Sequence, residues 1–148
     1  MTVDKLLVTS VEGAQTLMVR RNAAIIYSIL TALVVAFQLA LALGAPWGAY
    51  AMGGANPGQL PPSLRVAAVI QALILALLAC IVLARAGLLL PRWAKRSHRL
   101  VWVAVAIAAV SSVLNLITPS AGERLIWAPV ALVLLISSLV VATGPKLN

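Results

Sequence analysis

Residues 65–84 read RVAAVIQALILALLACIVLA, twenty positions with a single charge, Arg65 at the start, and a single amide, Gln71. About twenty helical residues at 1.5 Å each cross the roughly 30 Å hydrocarbon core of a bilayer. Three other runs have the same character, from about Ala23 to Leu43, Leu100 to Ile117 and Leu125 to Thr143. Lipid satisfies no exposed backbone group, so each run must be helical. The runs are also too continuous for barrel strands, which alternate. The expected fold is an all-α membrane protein: a four-transmembrane-helix antiparallel bundle over residues 23–148, preceded by a mixed-polarity segment, 1–22. In that segment Leu6, Leu7, Val8, Val11 and Leu17 would form the apolar side of a short interfacial helix.

Composition agrees. The chain of 148 residues is 63% hydrophobic and 9% charged, with a mean hydropathy of +1.08. A soluble domain is nearer half apolar and a quarter charged. The formal charge of +8 would suggest nucleic acid in a soluble protein, but the basic residues sit in loops beside apolar runs, so no nucleic acid is expected. The single cysteine, Cys80, excludes an intramolecular disulfide, a CxxC pair and a cysteine-rich metal site. The single histidine, His98, excludes a haem held between two histidines of one chain. No motif asks for a metal or cofactor. The first run, at 21 residues, is too long for the roughly 7–15-residue core of a signal peptide, although Ala40-Leu41-Ala42 imitates a cleavage site.

Charge sets the expected orientation. Lys5, Arg20 and Arg21 precede the first span; Arg85, Arg92, Lys95, Arg96 and Arg99 join the second to the third; Lys146 follows the fourth. Only Arg65 and Arg124 lie at the other ends of the spans. The positive-inside rule places both termini in the cytoplasm, as in a multi-pass protein of a bacterial plasma membrane. Tyr27, Trp93 and Trp102 would mark the inner interface, and Trp47, Tyr50 and Trp127 the outer one. The first outer connection, 44–64, is rich in glycine and proline and forbids a long regular element. The second, 118–124, is tight, so spans 3 and 4 are antiparallel neighbours.

Small residues recur at every fourth position: Ala24, Ser28, Ala32, Ala36, Ala40 and Gly44 in span 1; Ala68, Ala72, Ala76, Cys80 and Ala84 in span 2; Ala104, Ala108 and Ser112 in span 3. Such stripes let backbones approach closely, within the bundle or against a second copy or another membrane protein. Cys80 on its stripe reads as a small packing residue.

Polar groups inside the spans gather toward the expected outer side. Gln38 and Gln71 each lie six residues from the outer end of their span, at matching depth, and Asn115 is near the outer end of span 3. Arg65, Glu123 and Arg124 lie just beyond. One reading is a polar pocket opening outward under the Gly/Pro-rich loop, with the amides holding a ligand head group or lining a path. The other is interhelical hydrogen-bond glue, each pair worth about 1 kcal/mol or less. Glu123, the only carboxylate after residue 22, is expected to form an ion pair with Arg65 or Arg124 that closes the outer face. Neither reading requires a catalytic residue.

Two blocks are distinctive. One contains Ala45-Pro46-Trp47-Gly48, Gly53-Gly54, Leu60-Pro61-Pro62 and Leu64-Arg65; the other contains Asn115, Pro119-Ser120, Glu123-Arg124, Trp127 and Pro129. With these the chain, from span 1 onward, resembles a family of small bacterial four-helix membrane proteins of unknown activity. The resemblance implies the four-span fold and no reaction. Better-known four-span families fit poorly. Span 1 lacks the embedded glutamate of small multidrug exporters, and a lone cysteine cannot supply the pairs of vitamin-K-reductase-like or claudin-like proteins. Three functions remain, in descending order: a non-enzymatic accessory, assembly or envelope-interaction component; an oligomeric transporter or channel subunit with an outward polar pocket; and a lipid-acting enzyme.

Overall fold

The computed structural model describes residues 3–144, and among them the chain is helical with no strand. Four long helices, α1 (Val3–Ala42), α2 (Pro62–Arg85), α3 (Ala94–Ile117) and α4 (Ala121–Thr143), alternate in direction. All four are long and apolar enough to cross a membrane. They form a ring in which α1 packs most extensively on α2 and α3 on α4, while α1–α4 and α2–α3 contacts close the circle. The connections at one end, 43–61 and 118–120, define the loop end of the bundle; the opposite end carries the termini. Lys146 lies outside the described residues.

The first helix differs most from expectation. Residues 3–22 do not form a separate helix, and the side chains of Leu6, Leu7 and Val8 lie outside the described residues. From Val3 the helix is continuous to Ala42, and residues 10–19 are all exposed, including Val11 and Leu17. Burial begins at Arg20.

The ends of α1 and α2 share one device. Gly44 N donates to Leu41 O and Ala45 N to Ala40 O, and likewise Gly87 N donates to Ala84 O and Leu88 N to Leu83 O. Both are Schellman caps. The residue past the cap must be left-handed, and Gly44 (φ 99°) and Gly87 (φ 72°) supply that conformation without a Cβ penalty. Gly87 therefore stops α2 short of Pro91. Pro62 opens α2 at a position where its missing N–H costs nothing. Ser120 caps α4, its Oγ accepting from Glu123 N at 3.1 Å.

The small-residue stripes hold only in part. Ala104, Ala108 and Ser112 are buried, as are Ala24, Ala68, Ala72 and Ala84; Ala32, Ala36, Ala76 and Cys80 are exposed. A four-residue step overshoots a full turn by about 40°, so a strict stripe drifts out of a seam that runs at about 3.5 residues per turn. The buried line on α1 instead follows Arg20, Ala24, Tyr27, Thr31, Gln38 and Leu41. Alpha4, which no stripe singled out, buries Ala128, Ala131, Ser137, Ser138 and Ala142.

The half of the bundle toward the termini is filled. Tyr27, Leu78, Val82, Val101, Ala104 and Val141 form its centre. Tyr27 is thus a core residue and not part of an interfacial belt, whereas Trp93 and Trp102 are exposed. Arg20 and Arg85, read from sequence as flanking charges, are both buried here. The Arg85 guanidinium donates to Gly144 O at 2.6 Å, and the methylenes of Arg20 lie against Gly144, so both side chains seat the end of α4.

Candidate functional site

The loop half of the bundle is not filled. Between the core described above and a small cluster of Leu41, Ala51, Leu60 and Ala68 lies a cavity of about 540 Å³. That is within the usual range for small-molecule sites. Its deep walls are apolar on three helices, Val34 from α1, Leu75 from α2 and Leu134 from α4, with Ser111 from α3 at the same end. Its mouth is polar and aromatic, and all four helices and the 43–61 loop contribute to it.

Gln38, Gln71 and Asn115 all line this one cavity, with Glu123 above them. The residues sit differently. Gln38 points into the bundle and is 6% exposed, and its Oε1 is buried without a hydrogen-bond partner. Such an orphaned acceptor costs about 1–3 kcal/mol. Gln71 is on the exposed side of α2. Asn115 donates from Nδ2 to Ser111 O of its own helix at 2.8 Å. The amides do not bond one another in this arrangement, so the interhelical glue expected from sequence is not what they form.

Glu123 does not form the expected ion pair. Its Oε2 accepts from the Gly53 backbone N at 2.8 Å and from Thr118 Oγ1 at 3.0 Å. Arg65 turns the other way, donating from Nε to Leu60 O at 2.8 Å and from Nη2 to Gln59 Oε1 at 3.1 Å, which ties down the end of the loop. Arg124 is exposed. Neither arginine lines the cavity, and among the described residues no Lys, Arg or His does. The reason is local: as the third residue after the cap, Glu123 lies on the side of α4 that meets the loop, and Arg124, one residue on, is turned about 100° away.

The loop is clasped to α4 by three bonds. Gly53 N donates to Glu123, Ser120 Oγ to Ala49 O at 2.8 Å, and Trp127 Nε1 to Tyr50 O at 2.8 Å. Two short 3₁₀ turns, Gly48–Tyr50 and Met52–Gly54, bring those groups into place. Met52, on the cavity wall, holds a left-handed φ of 53°, a conformation costly for a residue with a Cβ. An aromatic row supports the roof: Phe37 lies 4.6 Å from Trp127, tilted by 56°, and 6.0 Å from Trp47, nearly parallel. Trp47 and Tyr50 are exposed, while Trp127 lines the cavity.

Sequence reasoning missed Phe37, Thr118 and Met52, and it named Gly53 without its bond to Glu123. A signal existed for part of this. Ser120-x-x-Glu123 is the pattern of a capping box, which fixes a helix start and the direction of its glutamate. Nothing local connects Glu123 to Gly53, 70 residues earlier.

The cavity also has a side. A shallow groove between α2 and α3, flanked by Ala67, Ile70, Ile74 and Ile107, shares Gln71, Leu75 and Ser111 with it. Gln71, Leu75 and Ser111 thus form a wall common to the cavity and the groove. Comparison with protein families, curated proteins and solved structures finds no match to this chain.

Proposed function

We propose that this chain is a non-enzymatic membrane component, both termini cytoplasmic, that holds a small amphiphilic molecule in an outward-facing cavity of a bacterial plasma membrane. The observation that carries the reading is Gln38, a buried amide whose carbonyl oxygen has no donor and which lines a 540 Å³ space. A residue needed only for packing would be apolar, and a residue needed only as glue would be bonded. The cavity's polar side chains are amides, the hydroxyls of Ser111, Thr118 and Tyr50, and one carboxylate that already anchors a loop, a set suited to holding a molecule. The excess of basic residues at the termini end supports the orientation.

A channel through one chain is the weaker reading, because the termini half is closed by the core around Tyr27 and Val82. The binding reading is tested by purifying the protein from native membranes with lipids retained and measuring its mass intact. The expected result is a bound small molecule in the wild type that is lost in Ala131→Phe, which fills the cavity from α4, while helix content is kept. Equal retention by the variant would place the molecule elsewhere. A tag at Asn56 reachable only from outside the cell, with a reporter after Asn148 active only inside, checks the orientation.

A further inference from the structure

We propose that residues 48–58 form a lid on the cavity, pivoting on the ends of α1 and α2 and latched on α4. This rests on the binding reading above and adds how the cavity is reached. The test reads the lid with no ligand present, so each can fail without the other.

The segment is a unit. Gly48 N donates to Gly58 O at 2.9 Å, which closes it on itself, and both 3₁₀ turns lie within it. Four consecutive residues, Tyr50, Ala51, Met52 and Gly53, line the cavity. Gln38, Thr118 and Ala131 line the same space and are buried, Ala131 at 4% exposure. The two edges of the segment are held by different means. Its chain connections, 43–47 and 59–61, run to α1 and α2, and on that side Ala51 packs with Leu41, Leu60 and Ala68. Arg65 of α2 fixes the second connection through Leu60 and Gln59. On the other edge, among the described residues, the side-chain hydrogen bonds from the segment to the helices all end on α4 or its cap, at Ser120, Glu123 and Trp127. An edge held by chain and apolar packing is one on which a panel can turn. An edge held by three separate hydrogen bonds, each contributing modestly, is one that can release.

Backbone strain lies at the latch. Met52 holds a left-handed φ of 53° on the cavity wall. Such a conformation persists only where its surroundings enforce it. Two of the three latch bonds flank it: Gly53 N, next in the chain, donates to Glu123, and Tyr50 O, two residues before, accepts from Trp127. Releasing those bonds frees Met52 to return to an ordinary backbone region, which offsets part of what release costs.

The test uses the full chain in phosphatidylcholine nanodiscs, with Cys80→Ala and one reporter thiol: Ala131→Cys in the cavity, or Ala104→Cys in the filled half. A charged methanethiosulfonate reagent is added, and the modification rate is read by intact mass. With the latch unaltered, Ala131→Cys should react slowly. Trp127→Phe keeps a ring against Phe37 but loses the bond to Tyr50 O, and it should raise that rate about fivefold. Glu123→Ala frees Gly53 N and should raise it about tenfold. Arg65→Gln, which cuts bonds on the pivot side, should not raise it. Ala104→Cys should stay unreactive throughout. If the latch variants leave the rate at Ala131→Cys unchanged, the reagent does not pass the lid and the proposal is overturned. An equal rise on Arg65→Gln overturns it too, since the whole loop then loosens and no edge acts as a latch. Should Glu123→Ala also expose Ala104→Cys, that variant has loosened the bundle, and Trp127→Phe alone decides. In every case the native-membrane mass measurement decides the binding reading separately.

Discussion

The two halves of this bundle use the same four helices to opposite ends. Toward the termini, small and branched side chains close around Tyr27 and Val82, and two buried arginines seat the end of α4. Toward the loops, the same helices part around a space lined by amides, and closure is delegated to a loop held by side-chain bonds. Since lipid tails are as apolar as leucine, a membrane bundle gains little from hiding apolar surface and must rely on fit. A half that gives up fit and buries an orphaned carbonyl gives up stability there. The packed half is what keeps the fold while the other half stays open.

Substitutions can break or sharpen that contrast. The largest effect is expected in the packed half: Tyr27→Ala removes a nearly fully buried ring and should cost about 3–5 kcal/mol, read as a large fall in the thermal midpoint in mild detergent. A small loss would show that the filled half is not the stable one. Next comes the roof. A methyl at Gly48 would collide with the backbone carbonyl of Asn56, so Gly48→Ala should cost about 2 kcal/mol and speed proteolysis within 43–61 while the helices stay protected. Glu123→Ala strips partners from Gly53 and Thr118 and should cost about 1.5 kcal/mol, with faster amide exchange at Gly53 as its local mark. Gln38→Leu runs in the opposite direction. Removing an unsatisfied buried oxygen should raise stability by about 1 kcal/mol, and a fall in the midpoint would mean the amide is structural after all. Smallest is Ala36→Leu, on the exposed face of α1, expected within about 0.5 kcal/mol of the wild type. A change in the intact mass of the assembly there would reassign that face to contact with a second copy.

The four spans were legible because a bilayer demands long uninterrupted apolar runs, and nothing in this chain competes with that signal. Which face of each span looks inward was less so. Alanine is abundant enough that a regular four-residue interval appears at Ala32 and Ala36, yet the seam follows a tighter period and leaves them outside. The amides of the cavity could be grouped from depth alone, because helical rise converts residue number into height. Their partners could not. Whether Glu123 finds Arg65 or Gly53 depends on how the glycine- and proline-rich loop 43–61 folds back over the bundle, and no periodicity encodes that path. Arg20 and Arg85 misled for a related reason. A basic residue at a span end reads as topology, and only the position of the last turn of α4 reveals that each fits beneath it.

The continuity of α1 has a mechanical meaning. From Val3 to Ala42 it contains no proline and no break, so it has no joint at which one part could turn without the rest. The exposed stretch 10–19 and the amide at Gln38 are carried on one shaft, about 36 Å apart from the middle of that stretch at 1.5 Å per residue. Anything that grips the protruding end and twists or pulls it acts on the wall of the cavity with the bundle as its bearing.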